Sequence, residues 1–163
     1  MTREEALAEL SGPTGPVRFA VVREGLYRGG QPNMHHLELL RALGVETIVD
    51  LRLADRTSRS EAADVARLGM RAVNVPFSGL FRVELSYLMK AIDTIKTGGR
   101  VYVHCHVGRD RTSLVVALAR VLLDGWTPRD AWAHDAVAFG YRRNLWHRSM
   151  ANSFDDAMRA LGR

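Results

Sequence analysis

The 163-residue sequence predicts an α/β fold, a mostly parallel central sheet with helices on both faces, on the strength of three observations. Short apolar runs alternate with longer stretches at helical spacing, the order that builds parallel strands joined by crossover helices. Glycine closes several helix-like stretches, at Gly44, Gly69 and Gly98-Gly99, just before the next apolar run. A balance of 47% hydrophobic and 25% charged residues suits a single domain over residues 1–163 with a sizeable core.

Each element has its own signal. Residues 17–22 and 25–28 read as two short strands. Asn33 caps a helix carrying Leu37, Leu40 and Leu43 that stops at Gly44. Residues 45–51 form a mostly apolar strand. Ser58-Arg59-Ser60-Glu61 reads as a capping box opening a helix to Leu68, ended by Gly69, and residues 70–76 are the next strand. Leu85, Leu88, Ile92 and Ile95 share one helical face before Gly98-Gly99. Residues 100–104 then form a strand and residues 112–123 a helix. Thr127-Pro128 opens a further helix reaching Phe139, and Asn152 or Ser153 caps the last.

The loop between the strand at 100–104 and the helix at 112–123 carries the chemistry. It reads His104-Cys105-His106-Val107-Gly108-Arg109-Asp110-Arg111-Thr112 and holds the only cysteine of the chain. A loop between a strand's carboxyl end and a helix aims its backbone N–H groups at one anion-sized point, and phosphate fits there. Cys105 sits where a helix N-terminus and nearby cations lower a thiol's pKa, which makes it the candidate nucleophile. Arg111 offers a planar fork for two phosphate oxygens. Gly108 allows a tight turn and close approach, Thr112 brings a hydroxyl that can stabilise the thiolate as a leaving group, and His104 orients the loop from beneath. His106, Val107, Gly108, Arg109 and Thr112 are the candidate substrate-binding positions. The charges of His106 and Arg109 favour a highly phosphorylated headgroup over a single phosphotyrosine.

This loop resembles that of the cysteine-dependent protein tyrosine phosphatase superfamily, His-Cys-x-x-Gly-x-x-Arg-Ser/Thr, and every fixed position is filled. Leu26-Tyr27-Arg28-Gly29-Gly30-Gln31-Pro32 and Thr47-Ile48-Val49-Asp50-Leu51-Arg52 are similar to stretches of the compact dual-specificity and atypical phosphatases of bacteria, fungi and plants. The resemblance implies a cysteine phosphatase-like fold and a two-step hydrolysis of phosphomonoesters. In it Cys105 takes the phosphoryl group and water then releases it, with no metal and no cofactor. The implied substrates are phosphotyrosine, phosphoserine or phosphothreonine proteins, phosphoinositides or inositol phosphates.

The sequence offers several candidates for the general acid. Many relatives carry an aspartate on a mobile loop whose counterpart, Asn74-Val75-Pro76-Phe77-Ser78-Gly79-Leu80-Phe81, has no carboxylate. A positioned acid contributes roughly 10²–10⁴-fold, so another group is expected to supply the proton. Asp110 is the first choice, by similarity to relatives with Gly-x-Asp-Arg. Asp55 is the alternative, because residues 53–60 could fold over the site, and Glu84 comes third. Phe77, Phe81, Tyr141 and Trp146 are candidates for the aromatic wall that a phosphotyrosine slot needs.

Other readings of these residues compete. Asp110 could cap the following helix or hold Arg109 or Arg111 in place. His104, Cys105 and His106 point to alternating sides and have no second ligand cluster at zinc spacing, so no metal site is read there. His35 and His36 read as first-turn helix residues, and His134 and His147 as surface or packing groups. Asp50 and Arg52 read as a structural pair, and Arg142, Arg143 and Arg148 as a solvated basic face. A phosphate-recognition module without turnover remains an alternative, and so, lower, does a rhodanese-type sulfurtransferase, whose loop usually places its arginine one position nearer. The net charge of +5 alone does not make a nucleic-acid binder without interleaved aromatics. One cysteine excludes an intrachain disulfide, residues 1–10 are acidic where a signal peptide is apolar, and no run spans a bilayer. A reducing cytoplasm is the expected location.

Overall fold

The computed structural model describes all 163 residues. Its strands are β1 (Ala20–Arg23), β2 (Leu26–Gly29), β3 (Thr47–Asp50), β4 (Arg71–Asn74) and β5 (Val101–His104). They form one sheet in the order β1-β2-β5-β3-β4, in which only β1 runs antiparallel to its neighbour. The predicted α/β class and mostly parallel sheet are therefore present. β2, β3 and β5 are buried along their whole length, and β3 and β5 are rich in β-branched and aromatic residues, as parallel strands covered on both faces are.

Two groups of helices supply the cover. On one face α1 (Arg3–Leu10), α2 (Met34–Leu43) and α3 (Arg56–Arg67) pack Leu10, Leu37, Leu40 and Val65 with Ile48 and Tyr102. On the other, α4 (Leu85–Thr97), α5 (Arg111–Asp124), α6 (Pro128–Asp135) and α7 (Arg148–Ala160) enclose Val49, Val101 and Val103. The alternation of Tyr102 with Val101 and Val103 between the two cores is the period of two expected of a strand. Residues 114–119 of α5 are all buried, because α5 lies between the sheet and its three helical neighbours. None of the helices is long and apolar enough to cross a membrane.

Several boundaries differ from expectation for local reasons. The strand expected at 17–22 is confined to β1, because Val17 spends its carbonyl on the N–H of Gly30 at 2.8 Å. α1 was unexpected: it starts at a Thr2 cap and buries only Ala6 and Leu10, too little to leave a periodic signal. The capping box of α3 is Asp55 with Ser58, three residues ahead of the expected one, and Glu61 is buried instead of capping. The helix expected to reach Phe139 ends at Asp135, and a 3-10 turn at Val137–Phe139 follows. α7 begins at Arg148 behind His147, which makes no side-chain cap. Ser153 therefore lies inside that helix, where its hydroxyl accepts the N–H of Val83 at 2.9 Å.

Candidate active site

The loop at residues 105–110 leaves the carboxyl end of β5, in the middle of the sheet, and enters the first turn of α5. Gly108 adopts φ +71°, and a Cβ there would sit 2.5 Å from the carbonyl carbon of Gly29. Only glycine fits, because the loop lies directly on the backbone at the end of β2.

Three consecutive loop carbonyls are tied outward. His106 O accepts the N–H of Gln31 at 2.9 Å, Val107 O accepts the Arg18 guanidinium at 3.2 Å, and Gly108 O accepts that of Arg28 at 3.0 Å. In a trans peptide the following N–H points the opposite way. The N–H groups of Val107, Gly108 and Arg109 therefore face the concave side, as an anion cradle requires. Arg28 is fully buried and also donates to Ser113 Oγ at 2.8 Å and to the Asp135 carbonyl, with its guanidinium 3.6 Å from the Phe139 ring centre. Arg18 is the one non-glycine residue in the left-handed region, at φ 54°, and braces both Val107 and Phe139.

At the base of the cradle, Thr112 Oγ1 donates to Cys105 Sγ at 3.1 Å. Burial pushes the thiol up, but the Thr112 hydroxyl and N–H, the Arg111 charge and the Gly108 N–H outweigh it, and the thiol lies below its ordinary value. Beneath it, fully buried His104 is bonded through Nδ1 to Cys105 O at 2.9 Å and through Nε2 to Glu61 Oε2 at 2.8 Å. Burial disfavours the imidazolium, whereas the Glu61 bond and charge and the Asp50 charge favour it, and the net direction is upward. Arg52 closes this cluster, bidentate to Asp50 at 2.9 Å and 3.2 Å from Glu61. Asp50, Glu61 and His104 do place one donor atom each within 4.8 Å of one another. The guanidinium already supplies the cation between those carboxylates.

Cys105, Asp110 and Arg111 line one hollow of about 300 Å³ with Val107, the 78–80 segment, Leu53 and His147. Arg111 crosses it, donating to Phe77 O at 3.3 Å. Asp110 precedes α5 but does not cap it; its carboxylate is bidentate with Arg109, at 2.8 and 3.2 Å. His106 is exposed, 3.2 Å from Gln31 Oε1.

The alternative acids lie outside this hollow. Asp55 caps α3, where the Ser58 N–H holds its carboxylate below the usual range, and Glu84 is exposed at the start of α4. Phe77 and Tyr141 are buried, while Phe81 and Trp146 stand exposed on the rim, so the four make no common slot. A larger apolar groove of about 480 Å³ between α6 and α7 shares no residue with the hollow. Sequence reasoning missed Arg18, Arg28, Glu61 and His147, because each reaches the loop from far along the chain.

A profile described as the tyrosine phosphatase family matches residues 14–133. The dual specificity protein phosphatase TpbA of Pseudomonas aeruginosa is 26% identical over 132 residues, 80% of this chain and 57% of TpbA. The chain spans 65% or less of the length of the curated relatives it matches. Among solved structures, that of P. aeruginosa TpbA superposes with a TM-score of 0.71 at 22% identity, covering 90% of this chain and 92% of that one. The core catalytic domain of the PP-IP phosphatase SIW14 from S. cerevisiae gives 0.68 at 21%, covering 90% and 91%. These similarities show the fold.

Proposed function

The chain belongs to the tyrosine phosphatase family, and from that premise we propose that it is a cysteine-dependent phosphatase acting as a single domain on phosphomonoesters. The carrying observation is the cradle: three carbonyls turned outward, three N–H groups turned inward, and the Cys105 sulfur, held by Thr112, at its base. Sγ attacks phosphorus and the ester P–O bond breaks, while Arg111 and the loop N–H groups take up charge on the non-bridging oxygens. Water then cleaves the S–P bond, and the Thr112 hydroxyl stabilises the departing thiolate. His106, Val107, Gly108 and Arg109 bind the substrate around the phosphate.

In this reading Asp110 gives the leaving oxygen its proton. Both of its oxygens are engaged by Arg109, so the acid role needs the substrate's anionic oxygens to draw Arg109 away and leave an Asp110 oxygen free to reach the leaving group. Phosphorylated protein, phosphoinositide and inositol phosphate are the candidate substrates. A structure of TpbA holds pTyr, SIW14 is named a PP-IP phosphatase, and the Arg109 guanidinium and the exposed His106 ring offer donors to an anionic headgroup. A reducing cytoplasm would keep Cys105 a thiol.

Phosphate release from a panel of phosphopeptides, phosphoinositides and inositol polyphosphates tests the reading. Cys105→Ser is expected to abolish turnover and keep ester binding. Undiminished turnover refutes it, and binding without turnover in the unaltered protein makes it a recognition module. Asp110→Asn is expected to slow esters with poor leaving groups about 10²-fold and activated aryl esters little. Equal loss on both removes Asp110 from the acid role.

A further inference from the structure

Apart from Met1, the five most exposed large apolar side chains line the Cys105 hollow or the hollow that adjoins it. Trp146 is 74% and Phe81 71% exposed, and Leu145, Leu80 and Leu53 are each more than half exposed. Leu53 and Leu80 line the hollow itself. Leu80 is shared with an adjoining hollow of about 610 Å³ walled by Phe81, Leu145 and Trp146. The other exposed large apolar side chains, Val17, Val21 and Val137 among them, are about half exposed or less, so the concentration of the most exposed ones on one rim needs a partner.

The charge beside the rim is positive. Arg148 lines the adjoining hollow, is exposed and makes neither a salt bridge nor a hydrogen bond, and Arg142 donates only to a backbone carbonyl. Trp, Phe and Leu flanked by unpaired arginine is the composition that settles at the headgroup level of an anionic bilayer. A symmetric dimer through this face would set the arginines against their own copies.

We propose that this rim docks the protein on an anionic lipid surface, with the Cys105 hollow facing the headgroups. The inference takes its site from the proposed function, but its test does not depend on turnover. Docking in this orientation would present phosphate esters carried by lipids at the bilayer surface to Cys105 without lifting them from the membrane.

The test is co-sedimentation of the full chain with vesicles of phosphatidylcholine alone and with vesicles in which phosphatidylglycerol replaces part of it. Binding is expected to the anionic vesicles only, with a blue shift in tryptophan emission that Trp146→Phe abolishes. Phe81→Ser combined with Trp146→Ser should weaken binding about tenfold or more. Arg148→Ser should weaken it about fivefold. Far-ultraviolet circular dichroism checks that these surface variants fold. Absence of binding to anionic vesicles overturns the proposal, as does binding that survives the paired substitution. A dimer in solution that the paired substitution dissolves also overturns it, by giving the rim to a second copy. Turnover of a soluble aryl phosphate by the unaltered protein separates the two ideas: turnover without vesicle binding sinks docking alone, and vesicle binding without turnover sinks the phosphatase reading alone.

Discussion

Arg28 and His104 occupy adjacent strands, β2 and β5, on opposite faces of the sheet. Both are fully buried and both brace the same loop through a backbone carbonyl, that of Gly108 for Arg28 and that of Cys105 for His104. They differ in what holds their charge. Arg28 is surrounded mainly by neutral oxygens and an aromatic face, with the nearest carboxylate of Asp135 at 4.0 Å, and burial lowers its pKa to about 10. That still leaves it a cation at neutral pH. His104 instead depends on Glu61 at 2.8 Å and Asp50 at 4.0 Å, which raise its pKa against burial. The outer brace is permanent and the inner one conditional on pH, although both perform the same mechanical task.

The comparison breaks first at Arg28. Arg28→Met leaves Gly108 O and Asp135 short of a donor, and a loss of about 3–5 kcal/mol is expected in chemical denaturation. The affinity for inorganic phosphate should fall with it, because the Gly108 peptide is no longer held outward. Stability unchanged by this variant would mean that the loop needs no outer brace.

Glu61→Gln sharpens the contrast. It should cost about 1–3 kcal/mol near pH 6, where His104 is charged. The raised pKa means that His104 binds its proton more tightly folded than unfolded. Its contribution is therefore complete below about pH 6.5 and disappears as pH rises through the elevated value. Denaturation across neutral to alkaline pH should show this decline, flattened in Glu61→Gln and retained in Arg28→Met. Cys105 works with the opposite sign. Its lowered thiol contributes stability above the ordinary value of about 8.5, and that stability is lost as pH falls through the depressed one.

Thr112→Val is the mildest probe. It removes one bond to Sγ and should raise the thiol's pKa, slowing alkylation of Cys105 by iodoacetamide about fivefold near pH 6. Stability should change by less than in either brace variant. An alkylation rate equal to that of the unaltered protein would assign the thiol's depression to Arg111 and the loop N–H groups.

The legible parts of the molecule were those with short-range signals. Residues 104–112 announce the loop because an anion cradle is built from consecutive backbone, and Asn33 with Gly44 brackets α2 because caps act within one turn. His104 is legible as the support beneath the loop, whereas the long-range contacts are illegible for the opposite reason. Arg28 meets Gly108, Ser113 and Asp135 across 80 to 107 residues, and in a short strand it reads like an ordinary solvated position. Glu61 was read as a cap when its partner His104 lies 43 residues away. The start of α7 was misplaced because its first turn carries no side-chain cap to read.

The strand order has a consequence for how the chain comes into being on the ribosome. β5 is the last strand to be synthesised, yet it lies between β2 and β3 and pairs with both. A nascent chain that has emerged only to Arg100 can form the β1-β2 hairpin and the β3-β4 pair, but β2 and β3 each face a missing neighbour. Such open edges are the surfaces through which partly made chains associate wrongly. When residues 101–104 insert, they seal both edges and carry Cys105 to the mouth of the sheet in the same step. No earlier intermediate in synthesis can hold an assembled site, because the sheet that carries the loop is not yet closed.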